Sequence, residues 1–351
     1  MSKFWNETTK NIEAYVPGEQ PQDKKYIKLN TNENPYPPSQ KVIDVMKNAV
    51  NDDLKLYPEP TGKKLITAIS KTYNISENQI FVGNGSDEVL AFAFKAFFSE
   101  KKGIKFPDIS YSFYPVYANL FNIAFEEVPL DSEFNIPLDK LMDNDAGVII
   151  PNPNAPTGKY IDTNTLKDLL EKNKDNVVII DEAYIDFGGT SMVKYINEYP
   201  NLLVVQTLSK SRSLAGLRCG FAMGHKDLIE GLNRVKNSIN SYTLDRVALA
   251  GAEEAIYDKT YLENSKKIIV TRENTIKELE KLNFKVLDSK ANFIFVTHKN
   301  VKADYLYSTL KDQGILVRYF NKPRINNYLR ITIGTDSEME TLIEKLQSIL
   351  K

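Results

Sequence analysis

A single cysteine, Cys219, stands among 351 residues, so no intrachain disulfide can form and a reducing compartment suits the chain. Beside Arg218 that thiol reads as a small buried residue rather than a reactive one. Only 2 histidines are present, His225 and His298, far apart in sequence. With one thiol besides, no zinc-type ligand set is expected. The 45 basic and 46 acidic residues leave a net charge of −1, without the global field that nucleic acid or an anionic membrane would favour. No apolar run approaches the roughly 18 residues of a membrane-spanning helix. The opening MSKFWNETTK lacks the apolar core of a secretory signal, so a cytoplasmic protein is expected. There is no fixed-period repeat and no low-complexity tract. What is there, 42% apolar and 26% charged residues, suits a globular chain of two domains, or of one large and one small.

The most informative stretch is LLVVQTLSKSRSLAGLRCG, residues 202–220. The β-branched run from Leu202 to Val205 predicts a short buried strand. Lys210 then falls on the loop at its end, where open α/β sheets place their chemistry. Thr207, Ser209 and Arg218 surround it with groups that suit a phosphate beside a reactive amine. Taken alone, the stretch is equally an ordinary loop with a solvated lysine.

Residues 1–40 are polar and rich in proline, an arm without a core of its own. Helices are expected over 40–52 and 63–73, with Tyr57 between them in the stiff loop LYPEPTG. IFVGNGSDEVLAFAFKAFF (80–98) reads as strand, turn and helix. Gly83 and Gly85 permit the turn, and Ser86 and Asp87 are the expected helix caps. The N–H groups freed at that start would bind an anion. Over 107–121, Tyr111 either packs in the core or lies flat against a planar ring. AGVIIPNPNAPTG (146–158) predicts a buried strand and a proline-locked turn, and 163–173 a helix. VVIIDEAYIDF (177–187) predicts a strand ending in Asp181, Glu182 and Tyr184. Alternation aims Asp181 at a cationic partner and Glu182 at the opposite face; Asp181 as a helix cap is the plainer reading. FAMGH (221–225) is a further strand. Beyond it the chain turns helical, with one long charged helix over 259–283, then a smaller α+β unit in which Arg318 and Arg330 could clamp a carboxylate or phosphate.

Strands alternating with helices to about residue 225 imply a largely parallel, helix-covered sheet. Its C-terminal edge would gather the 85–87 helix start, Tyr111, the 152–158 turn, Asp181 with Tyr184, and Lys210 with Arg218. Together these parts fit a flat, phosphorylated heteroaromatic aldehyde. Lysine forms a Schiff base, aspartate keeps the ring nitrogen protonated, and hydroxyls, arginine and a helix start hold the phosphate. That ligand is pyridoxal 5′-phosphate.

The chain resembles the class II aminotransferase family of fold-type I pyridoxal-phosphate enzymes, essentially end to end. The resemblance rests on EAYVPGEQP (13–21), LNTNENPYPPS (29–39), LYPEPTG, GNGSDE (83–88), YSFYPVY, NPNAPTG (152–158), DEAYIDF (181–187), TLSKSRSLAGLRCG (207–220) and YLRITIG (328–334). D-E-A-Y followed by S-K-x7-R is the most specific of these; the arm and YPEP point to the branch acting on histidinol phosphate. The resemblance implies an α/β fold of type I, with a mostly parallel seven-stranded sheet covered by helices and a smaller α+β domain. It implies an arm (1–30) packing with the small domain and a partner subunit, a large cofactor-binding domain (31–255) and a small domain (256–351).

It further implies that Lys210 carries the Schiff base and moves the Cα proton, that Asp181 pairs with the pyridinium nitrogen, and that Tyr184 hydrogen-bonds the ring's phenolic oxygen. Gly85, Ser86, Asp87, Thr207, Ser209 and Arg218 would serve the phosphate, and Tyr111 would stack on the ring. Tyr57 would reach the partner's site in a homodimer. Arg330, with Arg318, Tyr15 and Asn32, would bind the substrate's anionic end. One departure stands out. The usual turn is N-P-N-N-P-T-G, whose second central asparagine donates to the phenolic oxygen; that position here is Ala155. Asn154 would substitute only if the loop shifts, and losing one donor costs about 1 kcal/mol. The implied reaction is amino transfer between L-histidinol phosphate and 2-oxoglutarate, in histidine biosynthesis. Decarboxylation of threonine phosphate and transfer from aromatic amino acids stay open on the same scaffold.

Overall fold

The computed structural model describes residues 2–142 and 145–351. Among the described residues twelve strands run in chain order: β1 Ile27–Leu29, β2 Ile80–Gly83, β3 Ile104–Pro107, β4 Phe125–Val128, β5 Gly147–Pro151, β6 Val178–Asp181, β7 Leu202–Thr207, β8 Gly220–Gly224, β9 Phe284–Val286, β10 Phe293–His298, β11 Ile315–Tyr319 and β12 Leu329–Thr332. They form two sheets. The larger has seven strands in the order β2-β8-β7-β6-β5-β3-β4. All of them run parallel except β8, which lies antiparallel to both β2 and β7. The smaller has five in the order β1-β11-β12-β10-β9.

The central strands β5, β6 and β7 are buried at every position, and apolar until their last one or two residues, because both faces are covered. Alternate residues feed two separate cores. Val148, Ile150, Val178, Ile180, Leu202 and Val204 enter one. Ile149, Ile179, Leu203 and Val205 enter the other. A third core fills the space between the small sheet and the helices Thr260–Lys281, Ala303–Asp312 and Asp336–Ile349. The long charged helix anticipated over 259–283 is thus one helix, Thr260–Lys281. β1, from the polar N-terminal segment, pairs in parallel with β11, so Ile27 lies opposite Ile315.

The parallel strands end at one edge, where β6 stops at Asp181 and β7 at Thr207. Because β8 runs the other way, it begins at that same edge, with Gly220 opposite Thr207. Gly220 also faces Gly83 at the end of β2. A Cβ on Gly220 would lie 2.4 Å from the Ser86 nitrogen, so only glycine lets β8 pass this close to the helix Gly85–Phe97. That contact sets the helix start against the end of β7.

Candidate active site

A cavity of about 340 Å³ opens at this edge, within the usual range of small-molecule sites. Lys210 enters from the loop after β7, and its Nζ donates to the Thr31 carbonyl at 3.3 Å. The same ammonium lies 5.7 Å from the centre of the Tyr184 ring. Asp181 faces the cavity from the end of β6. Its Oδ2 accepts from the Tyr114 hydroxyl at 2.8 Å and its Oδ1 from the Ala183 N–H at 3.2 Å. Burial pushes this carboxyl up to about 6 although both hydrogen bonds pull it down. Glu182 points through the other face of the strand, where Ser191, the Met192 N–H and Gln206 donate to it. Strand alternation thus separates two adjacent buried carboxylates, only one of which lines the cavity.

The same cavity is lined by Ser86, Thr207, Ser209 and Arg218. The Thr207 hydroxyl donates to Ser209 Oγ at 3.0 Å. Ser86 and Asp87 were expected as helix caps; they sit instead within the first turn, and Asn84 is the N-cap. Asn84 makes no side-chain capping bond, and its amide NH2 donates to the Thr243 carbonyl. The first-turn N–H groups are therefore open to an anion. The Asp87 carboxylate does not serve one directly. It accepts from Arg218 Nη2 at 2.9 Å and from the Tyr111 hydroxyl at 2.6 Å, holding both in place. Burial, then the neighbouring Asp87 charge, drive the Tyr111 hydroxyl far above its usual pKa, so it remains a donor. Gly85 does not line the cavity. Its φ of +77° and the 2.7 Å between a built Cβ and Arg218 Nη2 make it the position over which that arginine passes.

A second space of about 160 Å³ adjoins the first and shares Thr31, Tyr111, Ala155, Tyr184 and Lys210 with it. It adds Tyr15, Asn32, Arg318 and Arg330. Tyr15 is stacked on Phe113 with ring centres 4.2 Å apart. Arg318 and Arg330 are direct cross-strand partners on β11 and β12. Like charges placed opposite repel, so an anion between them is favoured. Arg330 is half-buried, donates from Nη2 to the Asn30 carbonyl at 2.9 Å, and leaves its buried Nε without a partner. Burial lowers its pKa, which marks the cost of an unneutralised guanidinium there.

Two further anticipated residues, besides Gly85, lie outside both spaces. Asn154 is turned away, its amide donating to the Ile109 carbonyl and to Thr157 Oγ1, both at 3.0 Å. Ala155 is the residue that faces the cavity, and the loop makes no shift to bring Asn154 round. Tyr57 is 78% exposed and stacks on Tyr242 at 4.7 Å. Sequence reasoning missed Tyr114, Thr31 and Glu33. Tyr114 carried a usable signal, since it stands in the same aromatic run as Tyr111 and follows it by a single turn. Thr31 and Glu33 lie in an asparagine-rich segment whose composition resembles any turn.

Residues 24–346 match the family described as aminotransferase class I and II. The chain belongs to this family. Among class I and II aminotransferases it is 67% identical over 351 residues to the histidinol-phosphate aminotransferase of Clostridium beijerinckii, covering 100% of this chain and 98% of that one. Identity to the histidinol-phosphate aminotransferase of Clostridium acetobutylicum is 59%, with 100% of both chains covered. A solved histidinol-phosphate aminotransferase from Sinorhizobium meliloti, in complex with pyridoxal 5′-phosphate, superposes with a TM-score of 0.87 over 99% of each chain. At 21% identity that likeness establishes the shared fold, a type I aminotransferase fold.

Proposed function

We propose that this protein is a pyridoxal-phosphate-dependent aminotransferase that moves an amino group between L-histidinol phosphate and 2-oxoglutarate. The observation that carries this reading is the junction of the two spaces at Lys210, with Asp181 at one side and the opposed arginines 318 and 330 at the other. Full-length identity of 67% to a histidinol-phosphate aminotransferase supports the choice of substrate.

The residues present fit the cofactor. A buried carboxylate pushed up to about 6 despite two hydrogen bonds is relieved by a cationic ring N–H, and Asp181 lines the cavity where it could accept one. Open helix N–H groups, the Thr207 and Ser209 hydroxyls and Arg218 suit a phosphate. Tyr111 offers a ring face, and Tyr184 a hydroxyl for the ring's phenolic oxygen. Bound there, pyridoxal 5′-phosphate supplies an electrophilic carbonyl carbon and an electron-withdrawing ring. Lys210 holds the carbonyl end and carries the proton to and from the substrate's Cα. Arg330 and Arg318 accept a phosphate from one substrate and a carboxylate from the other, since the guanidinium fork matches both.

We also divide the chain into an arm (1–30), a cofactor-binding body (31–255) and a smaller body (256–351), and place the enzyme in homodimers. The two separate sheets support the division. Exposed Leu54, Leu56 and Tyr57, on one short segment, support an interface there.

The test is a half-reaction screen. Protein loaded with pyridoxal phosphate is mixed with histidinol phosphate, phenylalanine or threonine phosphate, and the visible band is followed to that of pyridoxamine phosphate. Histidinol phosphate is expected to convert fastest, 2-oxoglutarate to restore the band, and Lys210→Ala to abolish turnover. Full turnover by Lys210→Ala, or carbon dioxide release from threonine phosphate without keto-acid consumption, would overturn the reading.

A further inference from the structure

Asn32 is 1% exposed and adopts a left-handed backbone with φ of +58°. Three hydrogen bonds to two neighbours fix it. Its N–H donates to Thr332 Oγ1 at 3.0 Å, and its carbonyl accepts from Asn292 Nδ2 at 3.0 Å. Having accepted, the Thr332 hydroxyl donates its one proton to Asn32 Oδ1 at 3.1 Å. That bond decides which end of the amide is oxygen. Nδ2 is left facing Tyr184, and it donates to the tyrosine hydroxyl at 2.9 Å. A phenol oxygen that accepts on this side directs its own proton elsewhere. Among the described residues none accepts it, and Tyr184 lines both spaces. The Tyr184 ring is held edge-on to Phe293, with centres 5.0 Å apart, so the hydroxyl cannot swing to another partner without repacking.

We propose that Asn32 is a positioning residue acting through Tyr184: its amide occupies the acceptor side of the phenol and aims the phenol's proton into the cavity. This rests on the function proposed above, in which that proton meets the ring's phenolic oxygen. The inference gains weight from Ala155, whose methyl supplies no donor where it faces the cavity. With no second donor from that side, the phenolic oxygen depends on the orientation of Tyr184. Asn32 also ties that orientation to β12, because its fixing partner Thr332 lies two residues beyond Arg330.

The test uses holoenzyme and reads the pH midpoint of the visible absorbance change of bound pyridoxal phosphate. A donor to the phenolic oxygen favours its anionic form, so losing that donor raises the midpoint. Asn32→Gly keeps the left-handed backbone and removes the amide; a rise of roughly half a pH unit is expected. Asn32→Asp is nearly isosteric but accepts the phenol's proton and turns it away, so a rise of about one unit or more is expected. In a Tyr184→Phe background the glycine substitution is expected to add no further shift. An unmoved midpoint in Asn32→Gly, or an equal shift with and without Tyr184, overturns the assignment alone. Native protein that binds no pyridoxal phosphate and develops no visible band overturns the proposed function and this assignment together.

Discussion

Individual residues at the site were legible in proportion to how strange they look in their surroundings. Asp181 ends an apolar strand and Lys210 follows another, and each needs a partner the strand cannot supply. The reverse held for Asn154, which looks like its neighbours; the side of the turn that faces the cavity is set by backbone geometry, and Ala155 occupies it. Asp181 also yields a sign-definite prediction. Its folded pKa, about 6, lies above the ordinary 3.8, so its favourable contribution is full below about 4 and is lost as pH rises through 6. Cofactor-free Asp181→Asn is therefore expected to gain stability relative to the parent chain as pH rises from 4 to 7, by on the order of 1–3 kcal/mol. Urea denaturation at several pH values checks this. A pH-independent difference would show that the carboxyl is not desolvated. The variant is also expected to bind pyridoxal phosphate more weakly at pH 8, having lost the charge that answers the ring N–H.

At the scale of elements, the periodic signals were reliable and the terminal ones less so. Alternating cores on two faces follow from short β-branched runs, and the helix Lys63–Tyr73 lies where its pattern places it. The start of the helix Gly85–Phe97 did not follow from capping preferences, because Ser86 and Asp87 are spent on the cavity and on Arg218. Nor does a linear pattern reveal that β8 runs backwards, or that β11 and β12 bring two arginines face to face. The helix start supplies its own test. Gly85→Ala forces a side chain into a left-handed backbone and presses on Arg218. Strain of about 1–3 kcal/mol, expressed mainly at the anion site, predicts a loss of pyridoxal phosphate affinity of roughly five- to 150-fold. Titration of cofactor-free protein by absorbance reads this directly. Unchanged affinity would mean that Arg218 and the first turn do not hold the phosphate.

For the whole molecule, assembly is the feature least visible in one chain. Tyr57 projects from its loop, with its carbonyl held by Arg246 Nη2 at 3.0 Å and its ring against Tyr242. If it serves a second copy, mixing Lys210→Ala with Tyr57→Phe protein creates hybrid dimers with one complete site. Activity above that of Tyr57→Phe alone is expected after exchange. No rescue, together with a monomer in sedimentation, would count against the shared site.

The pairing of β1 with β11 has a mechanical corollary. A few residues beyond that strand, the Thr31 carbonyl receives Lys210 Nζ, and Asn34 Nδ2 donates to the Lys210 and Ser211 carbonyls. Residues 27–34 thus form a crossbar riveted to the five-stranded sheet at one end and to the Lys210 loop at the other. Any sliding of one sheet past the other drags that crossbar, so the arginines and the amine travel as a linked pair rather than independently.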